Sequence, residues 1–238
     1  FEASSIITGY GIGGGIMAVP YLVSKTNFYY AIIIILIAYV VSVLLHFMTA
    51  ELTSNEDNLQ IVELFNKYLF KDNKIVTWIF FIIMILVFIA NLSAYIAGAA
   101  EIILQFLNIS TLLAKTIFYI LAASVVAFGL KVLGISEKIA IIILFGLYLV
   151  LIVASFNAGL KPIQNMTGTI NDYLGVFSIT MFCFAAFFSV PQAAKGLSWN
   201  KKLIGRSIII GLGINLIVIL ITVFLTLSIS TEISEIAI

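Results

Sequence analysis

Charge is what this chain has least of. Lys, Arg, Asp and Glu make up 10% of its 238 residues, against about a quarter in soluble domains, and that scarcity excludes a soluble globular protein. Cysteine is nearly missing too. The lone Cys183 rules out an intrachain disulfide framework, and inside an apolar run it reads as a small buried hydrophobe. The only histidine, His46, has no second ligand beside it, so a satisfied or solvated imidazole is the default over a metal centre. No nucleophile, base and orienting group can be assembled, which leaves an intramembrane hydrolase unsupported and the chain read as no enzyme. The basic residues are split among separate loops, which excludes a nucleic-acid footprint. Neither an initiator Met nor a basic stretch before a small-residue cleavage site opens the chain, so it does not read as a signal peptide. It looks like a piece of something longer.

What is present is apolar length. With 63% hydrophobic residues and a mean hydropathy of +1.22, the chain reads as an integral membrane protein. Stretches of roughly 20 apolar residues give seven predicted spans: Ser4 to Val23, Phe28 to Ala50, Ile75 to Leu107, Leu112 to Leu130, Ile139 to Ala158, Tyr173 to Ala194 and Leu203 to Ile229. Runs such as Ile32 to Ile37 do not alternate as barrel strands do, so the fold class is all-α, a polytopic helical bundle. The third span would be about 50 Å long and must tilt or project beyond the hydrocarbon. With the N-terminus inside, nine basic residues (Lys67, Lys71, Lys74, Lys131, Lys138, Lys195, Lys201, Lys202 and Arg206) fall on the cytoplasmic side and three (Lys25, Lys115 and Lys161) outside. That bias predicts a cytoplasmic N-terminus in a plasma (cell inner) membrane. Between spans two and three, Ile61, Val62, Phe65 and Leu69 share a face, which predicts a short amphipathic helix on the cytoplasmic surface. Residues 161–172, with Pro162, Asn165, Gly168 and Asn171, form the clear internal boundary.

One span is interrupted. Gly9, Gly11, Gly13, Gly14 and Gly15 are five glycines in seven residues, followed by Pro20, at a depth where hydrocarbon tolerates no unsatisfied backbone. Such backbone survives where it lines a buried cavity, and discontinuous mid-membrane helices are how secondary transporters build substrate and ion sites. Helix packing is the competing explanation, since Gly9 with Gly13 and Gly11 with Gly15 are small-x-x-x-small pairs. A packing face needs one such row; here two adjacent rows and Gly14 are emptied. The match of Gly9, Gly11 and Gly14 to a dinucleotide fingerprint fails, because no strand precedes it and no ribose-binding acid follows.

The string Gly11-Ile-Gly-Gly-Gly-Ile-Met-Ala-Val-Pro20 resembles the first helix of the amino acid, polyamine and organocation transporter superfamily, especially its amino acid/auxin permease and aromatic amino acid permease branches. Glu51 closing span two, Asn91-Leu-Ser-Ala-Tyr95 in span three and Phe184-Ala-Ala-Phe-Phe-Ser-Val-Pro191 in span six agree with that layout. The resemblance implies a LeuT-like fold of two inverted five-helix repeats: 1–158 as the first repeat and 173–229 as the first two helices of the second, within a single transmembrane domain. It also implies broken first and sixth helices. Span six has Pro191 but no central glycine, so a simple proline kink stays open beside a true break. The resemblance carries Tyr95 over as a substrate-facing hydroxyl, a packed aromatic being the other reading.

The expected function is secondary active transport of a neutral amino acid by alternating access. The amides of Gly13, Gly14 and Gly15 would hold the substrate carboxylate at the positive end of a half-helix, with Tyr95 closing over it and Phe184, Ala185, Phe187, Phe188 and Ser189 lining the side-chain pocket. No mid-depth residue in these spans is charged, which predicts a neutral substrate, apolar or aromatic given the phenylalanines. Family members driven by protons or exchange often carry a lysine midway along span five. Here Ile143 to Leu149 contains none, which leaves room for sodium as the coupling ion of a symporter, held by the backbone carbonyls of Thr8 and Gly11; proton coupling is the rival. No other cofactor is expected. Membrane lipid is the surrounding partner. The alternatives are an uncoupled channel or facilitator, which would want a continuous polar stripe, and a structural membrane module.

Overall fold

The computed structural model describes residues 2–13, 15–55, 59, 61–229 and 233. Helices dominate them: α1 (Glu2–Gly11), α2 (Gly15–Ser24), α3 (Phe28–Asn55), α4 (Ile61–Tyr68), α5 (Lys74–Phe106), α6 (Thr111–Ala127), α7 (Leu130–Ala158), α8 (Ile170–Cys183), a 3-10 turn (Phe187–Ser189), α9 (Val190–Gly196) and α10 (Lys201–Ile229). Among the described residues five helices are long and apolar enough to cross a membrane, or six when the bent pair α1 and α2 counts as one span. The fourth predicted span is the exception. Its helix, α6, has 17 residues, short of the roughly 20 that a bilayer asks for. This is an integral membrane protein of the polytopic helical kind.

The chain divides into two compact units, Phe1–Asn55 with Glu137–Ile238, and Glu56–Ser136. In the first, α10 is the central post. Ile204, Ser207, Ile208, Gly211, Leu212, Asn215, Val218, Ile219 and Val223 are its buried stripe, at the three- and four-residue spacing that puts side chains on one helical face. Against that stripe pack α1, α2, α3 and α9. Gly211 permits the close approach of α1: a Cβ there would lie 2.9 Å from the Cβ of Ile7 and 3.0 Å from the carbonyl of Ser4. The Thr8 hydroxyl donates to the Gly211 carbonyl at 3.1 Å, so a polar bond reinforces the packing where lipid supplies no hydrophobic drive between helices.

Local chemistry starts α8. Thr169 and Asp172 form a reciprocal capping box, the Thr169 N–H donating to Asp172 Oδ2 at 2.7 Å and the Asp172 N–H to Thr169 Oγ1 at 3.4 Å, which satisfies two donors that helix geometry orphans. Thr169→Ala is expected to cost about 1 kcal/mol, read as a small drop in thermal midpoint; a midpoint equal to wild type would show that the box contributes nothing. The loop before α8 is folded against the turn between α2 and α3. Lys161 N–H donates to the Ser228 carbonyl at 2.8 Å and Met166 N–H to that of Thr26 at 3.3 Å, while Asn165 Oδ1 accepts from Phe28 N–H at 3.0 Å.

In the second unit, Asn73 and Ser110 cap α5 and α6. The amphipathic helix forms as α4, but its packed face differs from the predicted one. Ile61 and Leu64 are buried and Phe65 stacks on Phe80 at 4.8 Å between centroids, whereas Leu69 is 62% exposed. Leu69 lies beyond the end of α4, where the chain turns through Lys71 and Asp72 at positive φ, so the helical period stops before reaching it.

Candidate functional site

Two interruptions build the site. The last turn of α1 closes with Ile12 N–H on the Thr8 carbonyl at 2.9 Å, the chain leaves the helix at Ile12 and Gly13, and α2 resumes at Gly15 with its axis turned by 54°. Pro20 breaks nothing; it lies inside α2. Gly14 is outside the described residues.

The second interruption follows α8. Phe184 N–H reaches back to the Thr180 carbonyl at 3.1 Å, Ala185 N–H to Phe182 at 3.0 Å, and Ala186 N–H to Phe184 at 2.7 Å, a progressive tightening that takes the backbone out of the α-helix. A 3-10 turn and α9 continue the span. Span six is thus broken at Phe184 to Ala186, not at Pro191, which occupies the first turn of α9. A proline there loses no intrahelical bond, because first-turn N–H groups have no partner to give up. Tertiary contacts hold the break: the Phe184 ring is fully buried and packs T-shaped with Tyr39, centroids 5.8 Å apart, and the Phe184 carbonyl accepts from Ser42 Oγ on α3 at 3.1 Å.

The structure brings the two breaks together. A Cβ on Gly11 would lie 2.9 Å from the Cys183 carbonyl and 2.0 Å from Asn215 Nδ2; a Cβ on Gly15 would lie 2.9 Å from the Phe182 ring and 3.1 Å from Cys183 Sγ. These glycines are therefore required by contact. Gly11 is the end of one half-helix and Gly15 the start of the next, so opposite dipole ends flank the break.

Of the other predicted residues, Phe184 and Ser189 are buried and Ala185, Phe187 and Phe188 half-buried. Phe187 and Phe188 rings lie 4.3 Å apart. The Ser189 hydroxyl donates to the Ala186 carbonyl at 2.6 Å, so it braces the break as well as lining it. Gly13 is half-buried and Thr8 fully buried. Tyr95 belongs to α5 in the second unit and is 44% exposed. His46 is buried, bonded through Nδ1 to the Ser42 carbonyl at 2.7 Å, a satisfied imidazole on that nitrogen. No cluster of metal-ligating side chains occurs among the described residues.

Three residues of this region escape a reading of the sequence. Ser42 is one of several hydroxyls in apolar helices, and nothing in its spacing marks it as the clamp on Phe184. Glu137 lies against α1, its Cγ and Cδ 3.3 Å from a Cβ placed on Gly9, with Oε2 buried and unpartnered. Asn215 is fully buried on α10 with both amide atoms unpartnered. An amide in the middle of a 29-residue apolar helix was the available signal.

A profile described as the tryptophan/tyrosine permease family matches residues 1–236. Glutamine transporter 2 of Aliivibrio fischeri is 22% identical over 209 residues, covering 85% of this chain and 53% of that protein. The chain thus spans about half the length of the curated relative it matches. No solved structure matches it.

Proposed function

We propose, because this chain belongs to the tryptophan/tyrosine permease family, that the complete protein carries a neutral amino acid across the plasma membrane by alternating access, as a sodium symporter. Membership in a permease family places the chain among amino acid transporters and not among enzymes. The observation that carries the finer reading is the meeting of two broken spans, Gly11 beside Cys183 and Gly15 beside Phe182. Backbone of this kind is stable in a membrane only where protein or a polar cavity surrounds it.

In this reading the LeuT-like inverted repeat supplies the frame, with seven helices here, the N-terminus cytoplasmic, and further helices elsewhere in the complete protein. The substrate carboxylate sits at the N-terminal end of α2 on the amides of Gly13 and Gly15. Phe184, Ala185, Phe187, Phe188 and Ser189 receive its side chain. The walls at the meeting point, Gly11, Gly15, Phe182, Cys183, Phe184 and Asn215, are uncharged, which favours a neutral substrate because a charged side chain would go unpaired in low dielectric. Tryptophan, tyrosine and glutamine, the amino acids in the family's and the relative's names, are all neutral. Sodium would take the carbonyls of Gly11 and Thr8. The Thr8 carbonyl already accepts from Ile12, so it offers its second lone pair.

The test is uptake of radiolabelled tryptophan and glutamine by the complete protein in proteoliposomes. Accumulation above the external concentration, rising with an inward sodium gradient at fixed pH and competed by neutral but not charged amino acids, is expected. Uptake driven by a proton gradient and indifferent to sodium refutes the ion. Tighter binding of arginine or glutamate refutes the substrate class. Equilibration without accumulation identifies a facilitator, and no uptake at all a structural module.

A further inference from the structure

The hydroxyls at the two breaks are satisfied. Thr8 Oγ1 bonds to the carbonyls of Ser4 at 2.9 Å and Gly211 at 3.1 Å; Ser42 Oγ bonds to Phe184; Ser189 Oγ bonds to Ala186. Asn215 departs from that pattern. It is 0% exposed, and neither Oδ1 nor Nδ2 has a hydrogen-bond partner. A buried carboxamide without partners is costly, and a leucine on α10 would fill the same place in the buried stripe without that cost.

The position gives the amide a use. Its Nδ2 would be 2.0 Å from a Cβ on Gly11, and the same point is 2.9 Å from the Cys183 carbonyl. Gly11 ends α1 and Cys183 ends α8, so the carboxamide stands where two half-helices present their C-terminal, partially negative ends. Carbonyls in the last turn of a helix lack intrahelical donors. Two such ends and a carboxamide oxygen form an environment for a compact, positively charged hydrogen-bond donor with several N–H groups. The amide flip that exchanges O and N leaves its shape unchanged and brings Oδ1, the acceptor, to that point.

We propose that Asn215 is a ligand of the transported amino acid's α-ammonium group, which its Oδ1 accepts between the C-terminal ends of α1 and α8. This rests on the transport reading above. It adds the seventh span to the substrate site, and a ligand reaches the fully buried amide only when the ends of α1 and α8 part.

Binding of tryptophan and of its desamino analogue indole-3-propionate to the purified complete protein tests the assignment. Wild type is expected to prefer tryptophan by at least tenfold. Asn215→Ala should lose at least tenfold in tryptophan affinity and stay within twofold for indole-3-propionate, so that the preference collapses. Asn215→Asp, which keeps the acceptor, should retain the preference. Asn215→Leu should lose it while raising the thermal midpoint, as expected of a residue kept for binding at a cost in stability. A preference unchanged in Asn215→Ala overturns the proposal, including the case where its sodium half-saturation moves instead, which would give Asn215 to the coupling ion. Loss of both probes with a lowered midpoint also overturns it by making Asn215 structural. Wild type binding none of tryptophan, tyrosine and glutamine defeats the transport reading itself, and the assignment with it.

Discussion

Replacing Gly11 with alanine is expected to cut uptake by the complete protein roughly tenfold to a hundredfold. The new methyl would lie 2.0 Å from Asn215 Nδ2 and 2.9 Å from the Cys183 carbonyl, both well inside van der Waals contact. A flexible amide can swing aside, but the carbonyl belongs to the backbone at the second break and moves only with it. Overpacking of this kind costs about 1–3 kcal/mol, and each 1.4 kcal/mol is about a factor of ten in an equilibrium. The strain falls where the two broken spans meet, so the loss should appear mainly in substrate affinity. Gly98→Ala is the control, since nothing lies within 4 Å of a Cβ there. Initial uptake rates for Gly11→Ala within twofold of wild type would show that the spans do not meet at Gly11.

Gly211→Leu should be the most damaging substitution for folding. Its Cβ alone would lie 2.9 Å from Ile7 Cβ and Cγ2 and 3.0 Å from the Ser4 carbonyl, before the rest of the leucine is placed. Helix α1 would have to move off α10, breaking the Thr8 bond to the Gly211 carbonyl and exposing Ile7, now fully buried. A cost near the upper end of the 1–3 kcal/mol range follows, read as a fall of roughly 5 °C or more in thermal midpoint and a lower folded yield. Gly211→Ala should show the same effects in reduced form. A stable, fully expressed Gly211→Leu protein would refute the close packing of α1 on α10.

The glycine cluster was legible because its signal is chemical and local. Five residues without side chains in a membrane-length segment leave few structures open, and the interruption falls among them. The second break carries no such mark. Phe184, Ala185 and Ala186 are ordinary members of an apolar helix, and what unwinds them is distant: a hydroxyl on Ser42, the ring of Tyr39, the burial of Phe184. Pro191 drew attention to the wrong place because proline is a strong local signal that is harmless in a first helical turn. Asn215 went unmarked although a polar residue in an apolar helix was the available signal, because its close approach to Gly11 spans two hundred positions of chain and emerges only on folding. The count of spans rests on apolar length, which five helices and one bent pair meet among the described residues. Apolar length sets how much can be buried, while α6 is ended by the turn at Phe128 and Gly129, the latter with φ of 87°.

The loop between α7 and α8 is held partly by its own main chain. Lys161 and Met166 each donate a backbone N–H to a backbone carbonyl, of Ser228 and Thr26, and neither bond asks anything of the side chain at either end. Sequence change at those two positions should therefore be cheap, with proline the exception because it removes the donor. The same segment offers two kinds of site to an engineer. Lys161 and Met166 are exposed and are natural points for a cysteine bearing a fluorophore or spin label, whereas Asn165, which works through its side chain, and Gly168, where a Cβ would lie 2.9 Å from Thr26 Cγ2, are places to leave alone.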